Sequence, residues 1–247
     1  MNKKKDYSIT KWFGANLAEL LSDKIKVVYP EFDGPSYILE IKKESVGLTY
    51  SNRVELHADK LHKYLPRKYS DAVKILVSIL GEENPNETGM FKHYYWVMPI
   101  GKFIEKYGLD YYDISIQAIE EITKRNTGEY AIRPYIRKYP KKTIKIMEKW
   151  ARSDDFHLRR LASEGLRPKL PWSKKLDTFV EKPQHVFKIL DLLIDDTSKF
   201  VQKSVANNLT DYIKVNKDAA LKYIEKYSDN ESKNTKWIIK YATRKMY

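Results

Sequence analysis

Apolar side chains recur at helical spacing along almost the whole of this chain, and that pattern more than any other limits what it can become. Nine glycines and ten prolines are all that interrupt 247 residues. The two-residue alternation of a half-buried strand is hard to find. The chain therefore reads as consecutive helices joined by short polar turns. Trp12, Phe13, Leu17, Leu20, Leu21, Ile25 and Val28 fall on one face of a helix over 9–28, which Tyr29-Pro30 ends. The stretches 52–64, 71–80 and 95–107 follow in the same style. Asp110, Thr127, Asp155, Ser198 and Asn216 each stand before a periodic apolar run and are expected to cap helices. The acidic loop 82–88 is expected to separate a pair of helical groups within a single domain 1–247, with N-terminal helices over 1–107 and repeats over 108–247.

From about residue 108 the helices recur. Leu158-Arg159-Arg160-Leu161-Ala162-Ser163-Glu164 aligns with Val201-Gln202-Lys203-Ser204-Val205-Ala206-Asn207, and more loosely with Trp237-Ile238-Ile239-Lys240-Tyr241-Ala242-Thr243. Each copy follows an acidic or polar turn: Asp154-Asp155, Asp195-Asp196, Asn230-Glu231. An apolar-basic helix after such a turn, at a period near 40, is the pattern of HEAT-type repeats. The expected fold is all-α, a HEAT-like helical-repeat solenoid with a concave groove suited to DNA.

The charge is lopsided. Residues 1–100 carry 15 Lys/Arg against 13 Asp/Glu, whereas 101–247 carry 31 against 20. That imbalance favours an anionic partner on the C-terminal stretch, although a merely solvated lysine-rich surface has the same composition. Cysteine is absent, which excludes disulfides, thiolate metal sites and cysteine nucleophiles and fits a reducing cytoplasm. No run approaches the roughly 18 apolar residues of a membrane span, and the lysine-rich start lacks a signal peptide's apolar core. His57, His62, His93, His157 and His185 show no metal-binding spacing, and no nucleotide-binding glycine loop is present. No metal and no small-molecule cofactor is expected. Neither is membrane association.

Several segments then converge on one family. Glu129-Tyr130-Ala131-Ile132-Arg133-Pro134-Tyr135-Ile136, the stretch from Arg159 to Trp172, Ser204-Val205-Ala206-Asn207-Asn208-Leu209-Thr210-Asp211 and the tail from Thr235 to Ala242 resemble the AlkC-type DNA glycosylases. These are bacterial HEAT-like-repeat enzymes that excise alkylated bases and are relatives of the AlkD type. Val27-Val28-Tyr29-Pro30-Glu31-Phe32-Asp33 and Leu61-His62-Lys63-Tyr64-Leu65-Pro66 have the same character. Some members carry an immunoglobulin-like domain after the repeats, and this chain reads as the shorter type. Gln202 departs from the family's frequent second arginine, which puts one phosphate contact in doubt.

The resemblance implies a monofunctional enzyme that hydrolyses the N-glycosidic bond of cationic N-alkylated bases, such as 3-methyladenine or 3-methylcytosine, in double-stranded DNA. Glu129, Glu164 and Asp211 are the carboxylates it singles out as catalytic, with Trp172 as an aromatic partner at the lesion. Arg133, Arg159, Arg160, Arg167, Lys169 and Lys203 are the implied phosphate contacts, with Asn207 and Asn208 beside Asp211. A cationic base leaves without protonation, so carboxylates serve the sugar's developing positive charge and the attacking water. Read by themselves, Glu129 with Arg133, Glu164 with Arg160 and Asp211 near Lys214 could equally be helix-surface pairs worth a few tenths of a kcal/mol. Trp172 could equally cap a core. A non-catalytic HEAT-like scaffold binding nucleic acid or protein, and a magnesium-dependent nuclease using the same acids, stay open as alternatives. A monomer acting on the bacterial nucleoid in the cytoplasm is the accompanying expectation.

Overall fold

Every regular element among the described residues is helical, as expected from the spacing. The computed structural model describes residues 9–89 and 91–246. The chain divides into two compact units, one built from residues up to 83 with 91–126, the other from 84–89 with 127–246.

The first unit holds a short 3₁₀ turn Ile9–Phe13 and the helices α1 (Ala15–Val28), α2 (Gly34–Glu44), α3 (Tyr50–Tyr64), α4 (Tyr69–Ser78), α5 (Phe91–Tyr94), α6 (Met98–Tyr107) and α7 (Tyr112–Thr123). α1 packs on α2, α2 on α3, α3 on α6, and α7 on both α4 and α6. Their apolar stripes close over Phe13, Leu17, Leu21, Ile25, Tyr37, Ile41, Leu61 and Phe103, all fully buried. His57 lies in this core with Nδ1 2.8 Å from the Tyr37 hydroxyl. Burial pushes its pKa down to about 4, so it is a neutral core residue.

The second unit contains α8 (Arg133–Lys138), α9 (Pro140–Ala151), α10 (Phe156–Glu164), α11 (Gln184–Leu193), α12 (Lys199–Val215), α13 (Lys217–Glu225) and α14 (Lys233–Thr243). The three repeat copies are α10, α12 and α14, and α12 packs against both others. Side chains tie each copy to the next. The Asn208 Nδ2 donates to the Ser163 carbonyl at 2.7 Å, and the Thr210 hydroxyl donates to the Ala242 carbonyl at 3.0 Å. Thr235 Oγ1 reaches the Ile194 carbonyl at 3.1 Å.

The caps fix the register of the repeat. Asp155 accepts from the N–H groups of His157 and Leu158, and Ser232 from those of Asn234 and Thr235. Ser198 occupies the matching place before α12, but its hydroxyl makes no cap bond. Aligned on these three caps, Leu158 and Val201 correspond to Thr235, not to Trp237. The third copy is thus shifted by two residues from the sequence alignment. Thr235 and Ile238 are buried, whereas Trp237 is half-exposed.

Two other caps fall elsewhere than expected. α7 has Tyr111 as its N-cap, one residue after Asp110. No helix starts after Thr127; its hydroxyl accepts from the Glu129 N–H at 3.2 Å in a local turn. Asn216 does cap α13, accepting from the Ala219 N–H. α2 was not anticipated, because its apolar stripe is thin; Asp33 starts it by accepting from the Ser36 N–H at 3.1 Å. The 84–89 segment is not a spacer. The Asn84 carbonyl lies 2.9 Å from His157 Nε2, which anchors the segment to α10.

Candidate active site

Glu129, Glu164 and Asp211 lie in one row, linked by two arginines. Arg160 bonds Glu129 at 2.5 Å and approaches Glu164 at 3.5 Å. Arg167 bonds Glu164 at 2.6 Å and Asp211 at 2.9 Å. The local folding explains each placement. Glu164 ends α10, and the chain turns there at Gly165. A Cβ on Gly165 would sit 2.9 Å from the Ile132 side chain and 3.0 Å from that of Met147, so only glycine lets α10 approach so closely. Arg167 follows at i+3 and reaches back to Glu164 while extending toward α12. Asp211 comes from α12, one turn beyond Asn207, the repeat counterpart of Glu164. The acids therefore do not occupy equivalent repeat positions. Arginine bridges bring them into line.

The three carboxylates are held differently. Glu164 has both oxygens engaged: Oε1 by the arginines and Oε2 by the Ser204 hydroxyl at 2.5 Å. Burial alone would raise its pKa, but Arg160, Arg167 and Ser204 outweigh that and hold it below the ordinary carboxylate range. Glu129 takes Arg160 and the Thr127 hydroxyl on Oε2. Asp211 accepts Arg167 on Oδ2 alone, and burial raises its pKa against the pull of Arg167 and Lys214. Arginines between the acids also keep the three from converging on a shared cation. Among the described residues, no three acids or histidines could hold a metal ion together.

Four of the expected phosphate contacts are committed inside the protein. Arg133 is fully buried. It donates to the carbonyls of Gly165, Arg167 and Lys174 at 3.2, 2.8 and 2.7 Å, so it cannot reach a phosphate. Burial, with Arg137 and Arg167 nearby, lowers its pKa to about 10, still charged at neutral pH. Arg159 pairs with Asp196 and donates to the Ser153 and Asp154 carbonyls of the turn before its own helix. Gln202, its repeat counterpart, does the same work: its Nε2 donates to the Asp196 carbonyl at 2.6 Å. The departure at Gln202 thus removes no surface contact. Arg160 and Arg167 serve the acids. Asn208 is buried as a cross-link between α10 and α12.

The remaining predicted residues face outward. Lys169 and Lys203 are exposed, and Asn207 is half-buried. Trp172 is 87% exposed, which rules out a core cap. It adopts φ 64°, a left-handed conformation that costs a side-chain-bearing residue about 1–2 kcal/mol. The loop that carries it is fastened at its base. Arg133 and Arg137 both donate to the Lys174 carbonyl, and the Leu176 N–H returns to the Pro168 carbonyl at 3.0 Å. A strained, exposed ring on an anchored loop points to a functional contact.

Next to the row is a hollow lined by Arg160, Glu164, Ser204, Lys203 and Asn207, with Glu87 and Thr88 from the 84–89 segment and Lys199 and Phe200 from α12. Ser204 and Thr127 were missed as site residues. Ser204 had a legible signal, since it stands at the repeat position of the buried Leu161, where a hydroxyl demands a polar partner. Thr127 gave none, because its partners Glu129 and Arg160 meet only in the fold. The 84–89 wall was equally invisible.

Known proteins resemble this chain in sequence and in fold. The model of a family described as DNA alkylation repair enzymes matches residues 102–246. The YhaZ protein of Bacillus subtilis (strain 168) is 32% identical over 233 residues, covering 94% of this chain and 62% of YhaZ. The structure of the Pseudomonas fluorescens alkylpurine DNA glycosylase AlkC, bound to DNA containing an abasic site analog, matches with a TM-score of 0.86 and 30% identity. That match covers 96% of this chain and 64% of the AlkC chain. The chain thus spans less than two thirds of the length of either relative.

Proposed function

We propose that this chain, which belongs to the DNA alkylation repair enzyme family, is a monofunctional DNA glycosylase that releases cationic N-alkylated bases from double-stranded DNA. One observation carries the reading. Three carboxylates stand in a row beside an exposed tryptophan loop, and one of them combines an oxygen free of hydrogen bonds among the described residues with a pKa raised by burial.

That acid is Asp211. Its Oδ2 is held by Arg167, which leaves Oδ1 without a hydrogen bond among the described residues. A carboxylate so placed can face the positive charge that develops on deoxyribose as the glycosidic bond breaks. It can also orient and deprotonate the attacking water. The alkylated base already carries positive charge and leaves as a neutral molecule, so no general acid is required. Glu164, saturated on both oxygens, fixes Arg160 and Arg167 and thereby the position of Asp211. Glu129 anchors the other end of the row through Arg160. Trp172 stacks on or wedges beside the lesion, and Lys169, Lys203 and Asn207 contact the backbone around it. An unalkylated base would have to leave as an anion and gains little from this arrangement. Selectivity for cationic lesions follows.

Incubation with methylated duplex DNA in EDTA tests the reading. Free 3-methyladenine or 3-methylcytosine is the expected product. Chain scission that requires Mg²⁺ would indicate a nuclease instead, and binding without either product a scaffold.

A further inference from the structure

The arginines expected to grip DNA are engaged inside the fold, so the grip must come from other cations, and α12 and α14 supply them. The Lys199 Nζ lies 4.1 Å from the centroid of the Trp237 ring. Trp237 stacks on Tyr241 with centroids 5.0 Å apart and planes 18° from parallel. Arg244 then caps Tyr241, its Cζ 3.6 Å from that ring. Trp237, Tyr241 and Arg244 are spaced i, i+4 and i+7 and form one stripe of the last helix. The result is a ladder of cation, ring, ring and cation.

Two features separate these cations from the arginines of the acid row. Lys199 and Arg244 are exposed, and neither has a carboxylate partner among the described residues. Lys199 donates to Gln202 Oε1 at 2.5 Å, and Arg244 to the Tyr241 carbonyl. Both are neutral acceptors. Aromatic faces hold a cation in place without cancelling its charge, so each is positioned yet still available to an anion. Lys199 also lines the hollow beside Glu164, together with Lys203 and Asn207. The ladder is therefore continuous with the candidate site along the exposed side of α12.

We propose that Lys199, Lys203 and the Trp237–Tyr241–Arg244 ladder form a phosphate-binding strip that holds the DNA backbone leading away from the lesion. This rests on the glycosylase reading for its choice of polyanion. The occupant follows from charge: unneutralised cations at fixed positions, within the stretch that has 31 Lys/Arg against 20 Asp/Glu. Contacts of this kind add affinity and register but carry no sequence information. The strip serves damaged and intact DNA equally.

The test is the salt dependence of binding to an undamaged duplex, followed by fluorescence anisotropy. Each lost phosphate contact lowers the slope of log K against log salt by about 0.9. The double variant Lys199→Gln, Arg244→Gln should lower it by nearly twice that and weaken binding at least ten-fold at moderate salt. Arg159→Gln, which copies the residue used in the second repeat, should leave the slope unchanged. A double variant with the wild-type slope overturns the strip. Wild-type protein that binds with the full slope yet releases no base from methylated DNA sinks the catalytic reading and leaves the strip standing.

Discussion

Glu164 and Asp211 share one arginine, yet at the scale of single residues they differ in sign. Glu164 has a folded pKa below its ordinary value. Its stabilisation is present above the ordinary carboxylate range and is lost as pH falls through the depressed value. Glu164→Gln should therefore cost about 3 kcal/mol at neutral pH, since Arg160 and Arg167 lose a buried partner. Asp211 has a raised folded pKa. Its ionised form opposes folding, an effect absent in acid and complete once pH has risen through that raised value. Asp211→Asn should thus melt no lower than wild type at neutral pH, and any gain should vanish as acidification carries the pH below the ordinary carboxylate range. Thermal melts of both variants across pH check this pair; an Asp211→Asn protein that loses stability at neutral pH contradicts it. Trp172 makes a third case. Glycine there relieves about 1–2 kcal/mol of left-handed strain and removes no packing from a ring 87% exposed. Trp172→Gly should keep its melting temperature while base release falls about ten-fold or more, given the usual 1–3 kcal/mol of a base–aromatic contact.

At the scale of elements, the loop after α10 depends on Arg133. Replacing it with methionine strands the Gly165 and Arg167 carbonyls and should cost roughly 3 kcal/mol. Limited trypsin digestion should then cut at the exposed Lys169, Lys174 or Lys175 faster than in the wild type; an unchanged cutting rate would refute the anchor. This is also where sequence reading reached its limit. Helical spacing was legible because burial acts on one face of each helix, and α10 and α12 were visible as copies for that reason. The third copy slipped by two residues, because Trp237 looks apolar in sequence although its ring serves Lys199 on the surface. The acids were legible only through resemblance. Spacing alone could not distinguish Glu164 from a helix-surface pair, because its partners Ser204 and Arg167 arrive through packing. The arginines were misread for the same reason. A cation in sequence carries no mark of whether a carbonyl, a carboxylate or a phosphate will meet it.

At the scale of the whole molecule, what matters is which charges are left over. The chain carries a formal net charge of +13, but its arginines around the acids are internally balanced. The attraction for a polyanion therefore falls to lysines and ring-held cations outside the row, and the chemistry to Asp211, which one arginine holds by Oδ2 while burial raises its pKa. These roles are separable, so one substitution can remove catalysis without removing binding. The decisive measurement is single-turnover release of alkylated base from methylated duplex DNA, in EDTA, by wild type and by Asp211→Asn. Wild type should release free base, and the variant should release none while binding the same duplex at least as tightly. Equal release by the two proteins would refute the assignment, because the bond would then break without the carboxylate held responsible for it.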